Sequence, residues 1–167
     1  LFLDEIGEIS PHSQILLLRV LQNKTFERVG GEKTLESDVR IVAATNKNLE
    51  TEMNAKRFRE DLFYRLNVIM IEVPPLRQRK EDIPDLIEHF RKKYSKSTGK
   101  KVLKCSQSAM ELLMRYDWFG NVRELENTIE RAVVMASGAT ILPEDLPVKL
   151  RQGAVILPEE PSAKANP

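Results

Sequence analysis

Cysteine is almost absent from this chain. Cys105 is the one thiol in 167 residues, so no disulfide can form within it, which fits a reducing compartment better than a secreted scaffold. Long apolar runs are missing too: none approaches the roughly 20 residues a helix needs to cross a bilayer. The N-terminus lacks the pattern of a secretion signal, because acidic residues follow three apolar ones. Net charge is nearly absent, since 26 basic and 25 acidic residues leave +1. That balance gives no overall pull toward nucleic acid or an anionic membrane. His12, His89 and Cys105 lie far apart without metal-ligand spacing. The histidines read as helical surface and the cysteine as structural or near a helix start. No Ser-His-Asp arrangement is evident. An initiator Met is missing, and Leu1 opens inside what reads as a buried strand, so the chain is read as a piece of a longer protein.

What is present is the composition of a globular protein, 41% hydrophobic and 31% charged. The length suits one domain or two small subdomains, with roughly two thirds of the unfolded surface buried. Leu1-Phe2-Leu3 is a short strand ending in two carboxylates. Ser10-Pro11 reads as a helix start, with Ser as N-cap and Pro in the first position; the helix runs on through Leu21 with a wide apolar face that predicts deep burial. Two strand-like pieces around Gly30-Gly31 predict a hairpin or protruding loop. Val39 to Ala44 is a second strand ending at Thr45-Asn46, followed by a polar helix from Arg57 to Leu66. A third strand, Val68 to Val73, is stopped by Pro74-Pro75. Beyond that the pattern is helical: Glu81 to Lys96, Ser106 to Tyr116, and Asn121 to Ser137 with Gly138 as a stop. The Ala-, Pro- and Glu-rich tail reads as a flexible linker. The division is therefore 1–75 as an α/β part, 76–150 as a helical part and 151–167 as tail.

Four places can carry chemistry. Asp4-Glu5 ends a buried strand, where open α/β sheets bind ligands; the pair can hold a magnesium ion and orient water, or be ordinary loop charge. Thr45-Asn46 ends the next strand, and parallel pairing would set it beside Asp4-Glu5. Asn46 can donate and accept toward water or phosphate, or simply end a turn. Arg59 and Arg65, six residues apart on a regular helix, point about 120° apart and cannot form one claw. They read either as a solvated face, with Asp61 pairing Arg65, or as arginines offered to a neighbouring subunit. Asn121 with Glu124 fits a capping box, which puts Arg123 in the first helical turn. A cation there opposes the helix dipole by about 0.3–1 kcal/mol unless an anion binds at the helix start; otherwise it reaches solvent or pairs with Asp117. The basic run from Arg91 through Lys101 reads as a solvated helix end and loop, with nucleic-acid contact as the alternative.

In one order, these pieces resemble a known family closely. Leu-Phe-Leu-Asp-Glu-Ile-Gly-Glu (1–8), Phe-Glu-Arg-Val-Gly-Gly (26–31), Val-Ala-Ala-Thr-Asn (42–46), Phe-Arg-Glu-Asp-Leu-Phe-Tyr-Arg-Leu (58–66), Pro-Pro-Leu-Arg-Gln-Arg (74–79) and Gly-Asn-Val-Arg-Glu-Leu (120–125) resemble the AAA+ domain of sigma-54-dependent transcription activators, the bacterial enhancer-binding proteins. The resemblance spans residue 1 to about 150. It implies an α/β fold: part of a P-loop NTPase core, a parallel sheet with flanking helices, followed by a small all-helical lid. Asp4 and Glu5 match the Walker B pair, with Asp4 holding Mg²⁺ through water. Thr45 and Asn46 match sensor I. Arg59 and Arg65 match the arginines that reach a neighbour's ATP, and Arg123 matches sensor II. Residues 27–38 match a surface loop near the pore of the ring.

The resemblance further implies a cytoplasmic bacterial protein that hydrolyses ATP in a hexameric or heptameric ring. Such a protein remodels sigma-54 RNA polymerase holoenzyme, contacts DNA through a further C-terminal domain and needs no membrane. The same likeness implies a regulator of a two-component system. Departures are also expected. Phe119 stands where the family usually has Pro. No Gly-x-x-x-x-Gly-Lys-[Ser/Thr] occurs in these residues, nor does Gly-Ala-Phe-Thr-Gly-Ala. The chain alone is therefore expected to turn over no ATP. With three of the family's five sheet strands, it is expected to be marginally stable. The alternatives are a non-catalytic interaction module and another AAA+ remodeller of chelatase type.

Overall fold

The computed structural model describes residues 1–31 and 33–152. The chain divides into two compact units, one spanning Leu1–Glu72 and the other beginning at Val73.

In the first unit, β1 (Phe2–Leu3) pairs in parallel with β4 (Val42–Ala43), Phe2 opposite Val42 and Leu3 opposite Ala43. Flanking bonds extend the pairing: Val42 N–H donates to Leu1 O at 2.9 Å, Ala44 N–H to Leu3 O at 2.8 Å and Ile6 N–H to Ala44 O at 3.0 Å. Helix α1 (Pro11–Asn23) begins as its sequence predicts, with Ser10 Oγ accepting from Ser13 N–H at 3.1 Å. Lys24 leaves it in a left-handed conformation, φ 55°, and turns the chain into β2 (Thr25–Glu27). The predicted hairpin forms: β2 pairs antiparallel with β3 (Thr34–Glu36), and a Lys24–Asp38 ion pair closes its base at 2.7 Å.

Three expectations for this unit need correction. The segment 68–73 is not a strand. Its one recorded backbone bond is Val68 N–H to Leu66 O, and Val68, Ile69, Met70, Ile71 and Val73 are 70–82% exposed. A strand needs a neighbouring backbone to pair with, and the described residues present none to it. The face of α1 is not deeply buried either: only Gln14 and Leu18 are, and Leu16 is 47% exposed. The polar helix is shorter and has a missed partner. Helix α2 (Leu49–Asn54) is capped by Asn48, and α3 (Glu60–Leu66) starts only after Arg59, which is extended at φ −74°, ψ 136°. The physical reason is that the Arg57 carbonyl and the Arg59 N–H are held by Gln14, so the helix takes up only from the Arg59 carbonyl, which accepts from Phe63 N–H at 3.0 Å. Leu18, Phe58, Leu62 and Phe63 form the small core here, with Leu17, Leu21 and Met53 against it.

The second unit is organised around a larger core that includes Leu76, Ile83, Ile87, Leu113, Trp118 and Leu125. Its helices are α4 (Ile83–Thr98), α5 (Gln107–Arg115), α6 (Asn121–Met135) and α7 (Val148–Arg151). Gly99 ends α4 at φ 69°, and Ser106 caps α5 by accepting from Ala109 N–H at 3.2 Å. The expected all-helical unit carries one addition, a two-residue parallel pairing of β5 (Lys104–Cys105) with β6 (Thr140–Ile141). Both segments are extended because they flank the α5–α6 hairpin and can satisfy each other's backbone. Gly138 is not the helix stop. The helix ends at Met135 because Ala136 turns extended at φ −54°, ψ 124°, and Lys100 Nζ donates to the Val134 and Ala136 carbonyls.

The basic run is largely committed inside the unit. Arg91 is buried and donates to Glu88 at 2.9 and 2.6 Å and to the Val102 carbonyl; Lys92 pairs with Glu88 and Lys93 with Glu126. Arg151 belongs to α7; the rest of the expected tail, from residue 153, lies outside the described residues. No helix among those residues is long and apolar enough to cross a membrane.

Candidate functional site

The parallel register of β1 and β4 carries both strand ends to one edge, so Asp4-Glu5 and Thr45-Asn46 emerge side by side. Two backbone features shape that edge. Glu5 adopts φ 52°, ψ 41°, a left-handed conformation unusual for Glu, and strained backbone of this kind clusters at functional sites. It is held by Glu8 N–H to Glu5 O at 2.8 Å, which closes a 3₁₀ turn over Ile6–Glu8. Gly7 is required by close approach, because a Cβ there would meet Thr45 Oγ1 at 2.7 Å. A Lys47–Glu8 ion pair of 2.8 Å ties the two loops together.

Asp4 and Glu5 are exposed, and neither has an ion-pair partner among the described residues. Asp4 Oδ1 accepts from Glu5 N–H at 3.0 Å, which orients its carboxylate. No group of three or more His, Cys, Asp or Glu residues forms a metal cage among the described residues. Magnesium rarely uses such a cage: it is held by one or two carboxylates, water and substrate phosphates, and this pair fits that donor set. Asn46 is exposed and Thr45 Oγ1 accepts from Lys47 N–H at 3.1 Å.

The two arginines are placed differently from a matched helical pair. Arg59 is the N-cap of α3, not part of it, so the 120° separation does not apply. Its guanidinium makes a fork with Asp61, Nε to Oδ1 at 3.0 Å and Nη2 to Oδ2 at 2.7 Å. That hydrogen bonding holds the Asp61 carboxyl below its usual range and raises Arg59. The expected Asp61–Arg65 pair is therefore replaced by Asp61–Arg59. Arg65 instead donates from Nη2 to Leu21 O at 3.2 Å, in the last turn of α1, where a cation meets the negative end of the helix dipole.

In the second unit, Arg123 lies in the first turn of α6, exposed and without an ion pair among the described residues. The alternative pairing with Asp117 does not form; Asp117 engages Lys80 at 3.4 Å. The capping box is also rearranged. The N-cap is Gly120, and Glu124 Oε2 accepts from Gly120 N–H at 3.0 Å, while Asn121 Oδ1 accepts from Leu76 N–H at 2.8 Å. Asn121 is free to do this because it sits at φ 52°, a region Asn tolerates. Glu124 also takes Lys149 Nζ and Tyr116 Oη. Burial works to raise the Glu124 carboxyl, but Lys149, the Gly120 N–H and Tyr116 together bring it below the usual range.

Sequence reasoning missed Gln14, the Glu124–Lys149 pair and the close packing at Gly7. Gln14 gave one signal: it lies four residues before Leu18, a polar residue on the core-facing phase of a helix.

Comparison with known proteins gives a consistent answer. Residues 1–72 match the family described as Sigma-54 interaction domain, and residues 77–162 match AAA+ ATPase lid domain. The chain is similar to transcriptional regulatory protein ZraR of Salmonella typhimurium, 52% identical over 150 residues, covering 90% of this chain and 34% of that protein. It is also similar to regulatory protein AtoC of Escherichia coli, 52% identical over 152 residues, covering 91% and 33% respectively. Nitrogen fixation protein AnfA of Azotobacter vinelandii is 53% identical over 151 residues, covering 90% and 28%. Among solved structures, NtrX from Brucella abortus in complex with ADP superposes with TM-score 0.82 at 38% identity, covering 98% of this chain and 37% of that one. The NtrX structure with ATP gives 0.81 at 39%, covering 89% and 36%. The chain thus spans about a third of the length of the curated relatives it matches.

Proposed function

This chain belongs to the AAA+ family of sigma-54-dependent transcription regulators, and on that premise we propose that its first unit supplies the magnesium- and water-facing part of an ATPase site. The observation that supports this most is the parallel pairing of β1 with β4, which puts an acidic pair and a Thr-Asn pair on one edge. In this reading Asp4 binds Mg²⁺ through water and Glu5 orients the attacking water. Thr45 and Asn46 hold that water or the terminal phosphate of ATP. Arg59 and Arg65 serve a neighbouring subunit in a hexameric or heptameric ring, each through its own contact, and Arg123 meets phosphate at the start of α6. Bound Mg²⁺ would supply charge neutralisation for phosphoryl transfer. The protein's own part is to preorganise donors and carboxylates where charge develops.

Arg59 must exchange Asp61 for phosphate to act in trans. A trigonal phosphoryl group offers the same forked acceptor as the carboxylate it leaves. The exposed Arg123 also acquires a reason. Its unfavourable place at a helix N-terminus becomes favourable once an anion sits there. The larger activity proposed is remodelling of sigma-54 RNA polymerase holoenzyme by a cytoplasmic bacterial activator that reaches DNA through a further domain.

Two measurements test the reading. In a ring-forming ATPase that carries this chain, Glu5→Gln should abolish hydrolysis while nucleotide still binds; unchanged turnover overturns the role of Glu5. The purified chain by itself should show no ATP turnover, because these residues hold no phosphate-cradling glycine-rich loop. Added to subunits that possess one, it should alter their turnover through Arg59, and the Arg59→Ala chain should not. Equal effects of both chains would favour the second reading, an interaction module without catalytic contribution.

A further inference from the structure

Gln14 is 2% exposed, on a helix face otherwise apolar. Its amide is fully engaged: Nε2 donates to Ile9 O at 3.2 Å and to Arg57 O at 3.0 Å, and Oε1 accepts from Arg59 N–H at 2.9 Å. The orientation of the amide is fixed by its partners, since two are carbonyls and one is an N–H. Ile9 ends the 3₁₀ turn that begins at Glu5. Arg57 and Arg59 flank the buried Phe58, at 3% exposed, on the approach to α3. One rigid planar group therefore joins the loop that follows Asp4-Glu5 to the backbone that projects the Arg59 guanidinium.

We propose that Gln14 is a positioning residue: it couples the state of the Asp4–Ile9 loop to the placement of Arg59. This rests on the reading of Asp4-Glu5 and Arg59 given above, and deepens it. Under that reading the loop answers to the nucleotide of its own subunit, and Arg59 serves the neighbour's, so the amide links two consecutive sites of a ring. Geometry supports coupling beyond mere support. A shift of the turn moves the Ile9 carbonyl, and because the amide is planar, its other two bonds cannot keep their directions unless the Arg57–Arg59 backbone follows. An aliphatic side chain of the same size would fill the space but transmit nothing. It would also leave two partly buried carbonyls and an N–H without their partner.

The bridge can be tested in this chain by amide hydrogen exchange, read at Arg59. Gln14→Met should raise the exchange rate of the Arg59 N–H roughly tenfold through loss of its acceptor. The discriminating step adds Gly7→Ala, whose new Cβ meets Thr45 Oγ1 at 2.7 Å and displaces the turn. With Gln14 present, Gly7→Ala should change Arg59 exchange; in the Gln14→Met background it should not. An equal response with and without Gln14 overturns the proposal. Should Gln14→Met fail to fold, Gln14→Glu supplies a second route. Its protonated carboxyl donates once where the amide donates twice, so it holds one of the two carbonyls while still accepting from Arg59 N–H; its carboxylate donates to neither and faces both, which raises its pKa. The response of Arg59 protection to Gly7→Ala should persist in Gln14→Glu at low pH, where the carboxyl still donates to a carbonyl, and be lost as pH rises and the carboxylate holds none; a response that does not change with pH overturns the proposal. Failure of the Arg59→Ala mixing experiment with a Gln14-dependent exchange response would sink the role of Arg59 in trans, and the bridge itself would stand.

Discussion

Replacing Phe119 with Pro should stabilise the second unit. The turn Trp118–Asn121 is closed by Asn121 N–H donating to Trp118 O at 2.7 Å. Gly120 has φ −82° and ψ 11°, the values of the third residue of a type I turn. That makes Phe119 the second residue, where Pro is favoured because its ring presets φ. Phe119 N–H makes no recorded hydrogen bond and its side chain is 44% exposed, so neither a donor nor a buried contact is lost. Trp118 precedes it at φ 51°, outside the extended region that a residue before Pro favours, so strain there subtracts from the gain. The gain comes from the unfolded chain and amounts to roughly 0.4–1 kcal/mol. For a unit of this size that is a rise in Tm of about 2–8 °C. Trp118, the sole tryptophan and fully buried, reports the transition by fluorescence. Phe119→Ala separates loss of the ring from gain of the pyrrolidine. A Tm for Phe119→Pro below that of Phe119→Ala would refute the turn assignment, and with it the account of how Arg123 is presented at the start of α6.

Two further outcomes follow from charge and burial. Hydrogen bonding to Arg91, with Lys92 adding, holds the Glu88 carboxyl down at about 2 from an ordinary 4.5. Its stabilisation is therefore fully present above about pH 4.5 and lost as pH falls toward 2; because the carboxylate is half exposed, it is worth only about 1 kcal/mol. Urea melts of Glu88→Gln should fall below the unsubstituted chain near neutral pH and converge with it near pH 2, and a constant gap would contradict the assignment. Burial pushes the Cys105 thiol up to about 11, so a thiol reagent should label it roughly a hundredfold more slowly than an ordinary exposed cysteine at the same pH. Equal rates would show that the half-buried position of Cys105 does not raise its thiol.

Local rules of chain geometry made much of this molecule legible in sequence. Ser10-Pro11 marks a helix start by chemistry confined to one turn, and the structure puts the start there. The strand edge could be read as well, because Phe2-Leu3 and Val42-Ala43 each end in polar residues and parallel pairing aligns them. Failures came wherever a distant residue competed with a local preference. Arg59 stays out of its helix because Gln14, 45 residues earlier, takes its N–H. Asn121 gave up its expected cap to Leu76. Val68 to Val73 has every local attribute of a strand, yet strand formation depends on a partner that local sequence cannot supply. Asp61 chose the nearer arginine because an extended Arg59 could present both guanidinium donors to it.

The two-residue pairing of β5 with β6 has a mechanical consequence. It pinches the chain so that α5, the Trp118 turn and α6 form a closed loop between Cys105 and Thr140. Tension pulling on the chain before β5 and after β6 would load these parallel strands in shear. The pull would pass through Leu103 N–H to Ala139 O at 2.8 Å and Ser106 N–H to Ile141 O at 2.9 Å. Arg123 hangs on the shunted side of that path, and the helix that carries it would feel a tug, while the clasp holds, only through side contacts with the pulled segment, such as Lys93 to Glu126 and Lys100 to the Val134 and Ala136 carbonyls.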